Sequence, residues 1–256
     1  MTLMFTHCIV REPSKNFQEG LTSSDLGKPD YIKALKQHSS YINALKKCGV
    51  EIITLKADDR FPDSTFVEDT AVVNKDLAVV TSLGAPSRRG EEREIKNVLE
   101  KYFDKIESIE NPGTLEGGDI LQIENEYFIG LSSRTNKEGA KQFEKIVKMY
   151  GYSCSFIPLI NFFHLKTGVA YIDNNNLIVS GELIGNPIFK DYNLIKVEED
   201  ENYAANCIRV NNHVLIAEGS DKLRNSIISL GYKTLEIDVS EFRKMDGGLS
   251  CLSLRF

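Results

Sequence analysis

What the chain lacks narrows its class first. Its five cysteines, Cys8, Cys48, Cys154, Cys207 and Cys251, show no CxxC pairing, so neither a disulfide framework nor a structural zinc site is expected, and the thiols read as reduced. No apolar run approaches the roughly 20 residues of a membrane helix, and Met1–Thr6 lacks the basic start and long apolar middle of a secretory signal. Positive charge is not in surplus either. The formal net charge of −6 leaves no electrostatic footprint for nucleic acid or an anionic membrane, although Arg88 and Arg89 together suit a small anion. The expectation is a cytoplasmic protein with a small-molecule partner and neither a nucleic-acid nor a membrane partner.

What is present is a chain of 256 residues, 41% hydrophobic and 27% charged, enough for a sizeable core and read as a single catalytic domain over 1–256. A recurrent unit runs through it: an apolar strand with embedded polar residues, an Asn/Asp-rich turn, a second apolar strand, then an amphipathic helix. Copies start at Phe66, near Leu115, at His164 and at Tyr203. Their turns are Asn74–Asp76, Asn125, Asp173–Asn176 and Asn211–Asn212, and helical patterns follow at 91–101 and 221–230. A fifth copy supplies only a first strand, Leu249–Arg255, whose missing partner is the amino-terminal strand Phe5–Arg11. That pairing closes a ring and removes exposed edges. An ordinary α+β sandwich with look-alike hairpins is the alternative that strand patterning leaves open.

The odd residues share one place in the unit. Glu68 and Asp69, Glu116, His164 and Cys251 all fall in first strands, and all are expected to face one centre. An unpaired buried carboxylate costs several kcal/mol. A single such acid is ordinarily a buried ion pair or an amide cap, but several at one repeat position fit a chamber for a planar, bidentate cation such as a guanidinium. Alternation sets Leu252, Leu254 and Phe256 on one face and Cys251, Ser253 and Arg255 on the other, so the thiol occupies the polar face after the flexible Gly247–Gly248. A free cysteine, with a pKa of about 8.5, needs a cation or base to ionise, and His164 is the candidate. The other cysteines read as packed apolar residues, and His7, His38 and His213 as passive. Arg88 and Arg134 stand in equivalent loops, where they read either as surface helix starts or, paired, as a carboxylate clamp.

Six stretches in order carry a resemblance: 20–31, 62–69, 87–91, 112–116, 164–167 and 247–251. The chain resembles the dimethylarginine dimethylaminohydrolases over essentially its whole length. They belong to the guanidine-modifying enzymes, or penteins, which share a fivefold pseudosymmetric α/β propeller. The resemblance implies that fold, with ββαβ-type units closed by the terminal strands, and a covalent route from asymmetric dimethylarginine or monomethylarginine to citrulline and the corresponding amine. It implies Cys251 as nucleophile, His164 as general acid and base, and Glu116 as a carboxylate that holds the guanidinium and orients the site. Asp69 and Glu68 would line the guanidinium pocket, Arg88 and Arg134 would hold the substrate carboxylate, and Asp63 with Leu21 and Met245 would receive the α-amine. No metal or cofactor is implied, and a homodimer is one expected assembly. Gly117 departs from the alanine of the methylarginine enzymes and bears on substrate choice.

The rival readings are a deiminase of arginine or another ω-substituted guanidino amino acid, and a non-catalytic binder of cationic amino acids. Arginine deiminases carry an added helical segment that this chain is too short to contain. Agmatine lacks the carboxylate that the arginine pair would hold.

Overall fold

The computed structural model describes residues 5–256. In chain order the described elements are β1 (His7–Arg11), α1 (Tyr31–Lys47), β2 (Glu51–Leu55), β3 (Ala71–Val73), β4 (Ala78–Val80), α2 (Glu92–Leu99) and β5 (Ile106–Ser108). They continue with β6 (Ile120–Ile123), β7 (Glu126–Leu131), α3 (Lys137–Lys148), β8 (Ser153–Pro158), α4 (Leu165–Gly168), β9 (Val169–Asp173), β10 (Asn176–Val179) and β11 (Asn193–Lys196). The last are β12 (Ile208–Val210), β13 (His213–Ala217), α5 (Asp221–Ser229), β14 (Lys233–Ile237), α6 (Ser240–Arg243) and β15 (Leu254–Arg255). The strands form five three-stranded sheets.

One construction rule repeats. A hairpin gives two antiparallel strands, a crossover follows, and the third strand returns parallel to the second, as in β6–β7–β8 and β12–β13–β14. The sheet made by the chain ends obeys the same rule, with β15 antiparallel to β1 and β1 parallel to β2 across α1. The ends therefore complete one another, as the repeat pattern predicts. The fold is mixed α/β with five repeated small sheets.

Local chemistry explains the units. Hairpin turns fall where Asn or Asp tolerates a left-handed backbone: Asp173, Asn174, Asn175 and Asn211 all have positive φ. Asn74 instead folds its side chain back on the N–H groups of Asp76 (2.7 Å) and Leu77 (3.0 Å). Two of the crossover helices, α1 and α3, carry a side-chain N-cap, and α3 is one-sided. Asp30 accepts from Lys33 N at 2.8 Å, Asn136 accepts from Gly139 N at 2.8 Å, and Ala140, Phe143, Ile146 and Val147 bury one face of α3. The third unit departs from the expected pattern. Between β10 and β11 the crossover is two short 3-10 turns, Gly181–Leu183 and Pro187–Phe189, because Gly181, Gly185 (φ +80°) and Pro187 punctuate it too closely for an α-helix.

The functional acids are not in strands. Val67–Thr70 and Gly117–Asp119 are 3-10 turns, Leu165–Gly168 is one helical turn, and each immediately precedes the first strand of its hairpin. In the last unit the strand is only Leu254–Arg255, and Cys251 sits in the turn before it. Strand alternation therefore does not govern the thiol's direction. The backbone there is committed elsewhere: Tyr41 Oη donates to Leu249 O (2.7 Å) and Glu68 N donates to Cys251 O (3.1 Å).

These inner turns bond to one another around the ring. Asp69 accepts from Gly118 N (3.0 Å), and Asp119 accepts from Leu165 N (3.0 Å). Asn206 donates to Lys166 O (2.9 Å) and accepts from Ser250 N (2.9 Å), and Glu68 N to Cys251 O closes the circuit. Each unit thus satisfies buried polar groups of the next, which fixes the five turns in mutual register. Gly248 is required here, since a Cβ on it would collide with the Asn206 side chain. Apolar clusters fill the spaces between neighbouring units, for example β7 and α3 with Leu77, Val79 and Leu115. No helix among the described residues is long and apolar enough to cross a membrane.

Candidate active site

The inner turns enclose a cavity, and eight of the ten residues singled out from sequence stand on its wall: Leu21, Asp63, Asp69, Arg88, Arg134, His164, Met245 and Cys251. Phe66, Phe163, Asp246 and Gly247 complete it. The void is about 30 Å³, room for one or two waters.

Cys251 comes from the tail turn and remains partly accessible. Burial, then the negative charges of Glu68 and Asp69, push its thiol up to about 12. No hydrogen bond joins it to His164 among the described residues; the backbone of Gly248 and Ser250 Oγ, the latter at 3.9 Å, meet the sulfur instead. Burial and the two acids both favour the neutral thiol over the thiolate.

His164 is buried and carries the opposite bias. Burial opposes its charge, but Asp69, Asp119 and the hydrogen bond to Glu116 outweigh burial and raise it to about 9. Its Nε2 lies 2.8 Å from Glu116 Oε2 and 3.9 Å from Asp69 Oδ1. Glu116 is fully buried, against burial's upward push it is held down to about 2 by His164, and its other oxygen accepts from Gly84 N (3.0 Å) and Ala85 N (3.4 Å). Its carboxylate is therefore aimed at the imidazole and stands behind it, off the cavity wall. A Cβ at Gly118 would lie 2.7 Å from His164 Nδ1 and 2.9 Å from Asp69 Oδ1, so this glycine permits the approach.

The two arginines differ. Arg88 is buried, with Nη1 to Asp69 Oδ2 (2.7 Å), Nη2 to Glu91 Oε2 (2.9 Å) and Phe66 O (3.1 Å), and Nε to Glu91 (3.2 Å). Four of its five donors are already used. Arg134 is half-buried, and its guanidinium has no acid within ion-pair distance among the described residues; it lies over the ring of Phe163, Cζ 4.7 Å from the centroid. The equal pair expected from sequence is thus one committed arginine and one free one.

Around the mouth, both oxygens of Asp63 accept from Leu21 N (3.1 Å each), and burial raises this acid despite Arg88. Asp246, in a left-handed conformation (φ +56°), accepts from Ser23 N (2.5 Å), Ser23 Oγ (3.0 Å) and Thr22 Oγ1 (3.3 Å), tethering the segment that carries Leu21. Glu68 is turned away from the cavity. Its carboxylate binds Lys166 Nζ (2.6 Å), Ser250 Oγ (2.7 Å) and Arg255 Nη2 (3.2 Å), a buried network that anchors the Cys251 turn. Gly117 is fixed by packing, since a Cβ there would strike the Glu68 carbonyl oxygen.

Sequence reasoning did not single out Asp119, Glu91, Phe163 or Asp246. Asp119 had a signal: it occupies the same place in its unit as Asp69. Phe163 and Asp246 had only adjacency to His164 and Gly247. The described groups able to hold a metal ion are Asp69, Glu116 and His164, with ligand atoms within 4.8 Å of one another. Asp69 Oδ2 is already taken by Arg88 and its Oδ1 by Gly118 N, and Glu116 Oε2 is taken by His164. A wider cleft of about 410 Å³ lies behind Glu91, lined by Asp58, Arg60, Phe61 and Arg89 among others, and holds neither thiol nor histidine.

Comparison with known proteins shows the family of the chain. A family model described as N,N dimethylarginine dimethylhydrolase, eukaryotic, matches residues 13–252. The N(G),N(G)-dimethylarginine dimethylaminohydrolase of Pseudomonas aeruginosa is 49% identical over 254 residues, 99% of this chain and 100% of that protein. Its namesake from Streptomyces coelicolor is 31% identical over 96% of this chain and 95% of its own. A Pseudomonas aeruginosa structure, a cysteine-to-serine variant complexed with citrulline, superposes with a TM-score of 0.98 at 49% identity, covering 99% of this chain and 100% of that one. The N-terminal domain of a cyanobacterial arginine dihydrolase shares the fold, with a TM-score of 0.87 at 20% identity, over 97% of this chain and 96% of that one. The chain belongs to the dimethylarginine dimethylaminohydrolase family.

Proposed function

We propose that the chain hydrolyses asymmetric dimethylarginine or monomethylarginine to citrulline and the corresponding amine through a thiouronium on Cys251. The observation that carries this reading is one small chamber walled by a thiol, a charged imidazole, the Asp69 carboxylate and an uncommitted arginine. The relatives' printed activity and the citrulline bound by a close structural neighbour support it.

Asp69, held by Arg88 and Gly118 N, keeps lone pairs for guanidinium N–H groups. Arg134 meets the α-carboxylate, and Asp63 with the backbone near Leu21 and Met245 receives the α-amine. Docking fixes the central carbon beside the sulfur, which makes attack effectively unimolecular. The substrate's positive charge favours loss of the thiol proton to solvent, and the thiolate forms the C–S bond. His164, already protonated, gives its proton to the departing amine as the C–N bond breaks. Now neutral, it takes a proton from water, the hydroxyl that remains adds to the thiouronium, and as the C–S bond breaks the hydroxyl proton passes to the departing thiolate, leaving citrulline and the Cys251 thiol. Glu116 orients the imidazole and stabilises its charged form.

Replacing Cys251→Ser is expected to lower citrulline release by at least about 10³-fold with binding retained. Undiminished turnover would reject covalent catalysis.

A further inference from the structure

Arg134 brings a positive charge to the cavity with no acid within ion-pair distance among the described residues, although its charge is felt by Asp63 and Glu116. An arginine that receives a ligand's carboxylate must be held in place without being neutralised. A protein carboxylate would hold it and consume the charge, as Asp69 and Glu91 do for Arg88. An aromatic face attracts the cation through the ring quadrupole and leaves the charge and the N–H edges free. Phe163 supplies that face, 4.7 Å from Arg134 Cζ.

The ring is itself fixed. It stands edge-on to His164, with centroids 4.5 Å apart at 69°. The backbone leading to it is clamped by one carboxylate: Glu182 accepts from Ile160 N (3.2 Å), Asn161 N (3.0 Å) and Phe162 N (3.0 Å). The Phe162 ring packs on Gly168 and Gly181, where any added Cβ would strike it. The segment before His164 is thus pinned at the surface by Glu182 and inside by two glycines. Its last ring touches both the free arginine and the proton carrier.

We infer that Phe163 is a positioning and specificity residue, which holds Arg134 charged and aimed so that the site selects guanidines bearing an α-carboxylate. The inference rests on the proposed reading of Arg134 as the carboxylate anchor, and the test separates the two. In the Cys251→Ser background, which allows binding without turnover, calorimetric titration compares asymmetric dimethylarginine with its decarboxylated analogue. Phe163→Leu, with Phe163→Met as a second truncation, weakens the amino acid between about 2-fold and about 30-fold, the range of a lost cation–π contact, and leaves the analogue within about 2-fold. Phe163→Tyr, which keeps the π face, restores the wild-type preference. On an Arg134→Ala background the Phe163 truncations add nothing further, because the contact is already gone. If Arg134→Ala discriminates between the ligands and the Phe163 truncations do not, this inference is overturned and the anchor reading stands. If Arg134→Ala weakens both ligands equally, the anchor reading fails and takes the inference with it.

Discussion

Glu116→Gln is the most informative single perturbation of the proton chemistry. His164 is raised from 6.5 to about 9 although burial alone would lower it, and the opposing causes are Asp69, Asp119 and Glu116, the last through a 2.8 Å hydrogen bond. A hydrogen bond to a charged group is worth about 1.5–3 kcal/mol, equivalent to about 1–2 pH units. Neutralising Glu116 while keeping its shape is therefore expected to bring the His164 titration down by about that amount. The assay is the pH dependence of the imidazole ring signals by NMR, followed from pH 5 to 11. His38, held down to about 4 by burial, stays silent through that window. Stability follows the same pair. Because the folded-state value lies above the ordinary one, the linked stabilisation, about 3 kcal/mol, is complete below pH 6.5 and is lost as pH rises through 9. Denaturant unfolding between pH 6 and 10 should show this decline in the wild type and a shallower one in the variant. An unchanged titration in Glu116→Gln, or a wild-type His164 that titrates near 6.5, would refute the assignment.

Alkylation of Cys251 by a neutral reagent in the free enzyme should accelerate steadily as pH rises above neutrality, as a thiol pushed up to about 12 requires; a rate flat from pH 6 to 9 would mean a standing thiolate. Gly118→Ala should cost about 1–3 kcal/mol of stability and most of the activity, since its Cβ falls between His164 and Asp69; normal thermal unfolding and turnover would show that those groups yield. Asp246→Ala, which frees Ser23 and Thr22, should raise KM several-fold with kcat changed less; an unaltered KM would detach the Leu21 segment from binding.

Much of the architecture was legible because five units repeat one hydrophobic pattern and the Asn/Asp turns mark their hairpins. The pairing of Phe5–Arg11 with the tail was readable from each end lacking a partner, and β15 does pair with β1. The strand assignment of Phe66–Thr70 and of Leu249–Leu252 was wrong for one reason. Apolar residues in a buried turn are indistinguishable by periodicity from those in a buried strand, and the hydrogen bonds that decide between them come from distant units, such as Glu68 N to Cys251 O. His38 lies on what reads as a polar helix face, yet it is buried, because α6 and its neighbours cover α1 there. The cavity residues were readable as odd polar positions in apolar surroundings. Their division of labour was not: a single chain position cannot reveal that Arg88 is consumed by Asp69 and Glu91 while Arg134 rests on an aromatic ring, or that Glu68 faces Lys166 and Arg255.

The most direct test of the central claim is peptide mass spectrometry of enzyme quenched during turnover of asymmetric dimethylarginine. The thiouronium mass is expected on the peptide containing Cys251, and is expected to be absent in Cys251→Ser. Steady citrulline production with that peptide unmodified, or with the adduct on another cysteine, would contradict it.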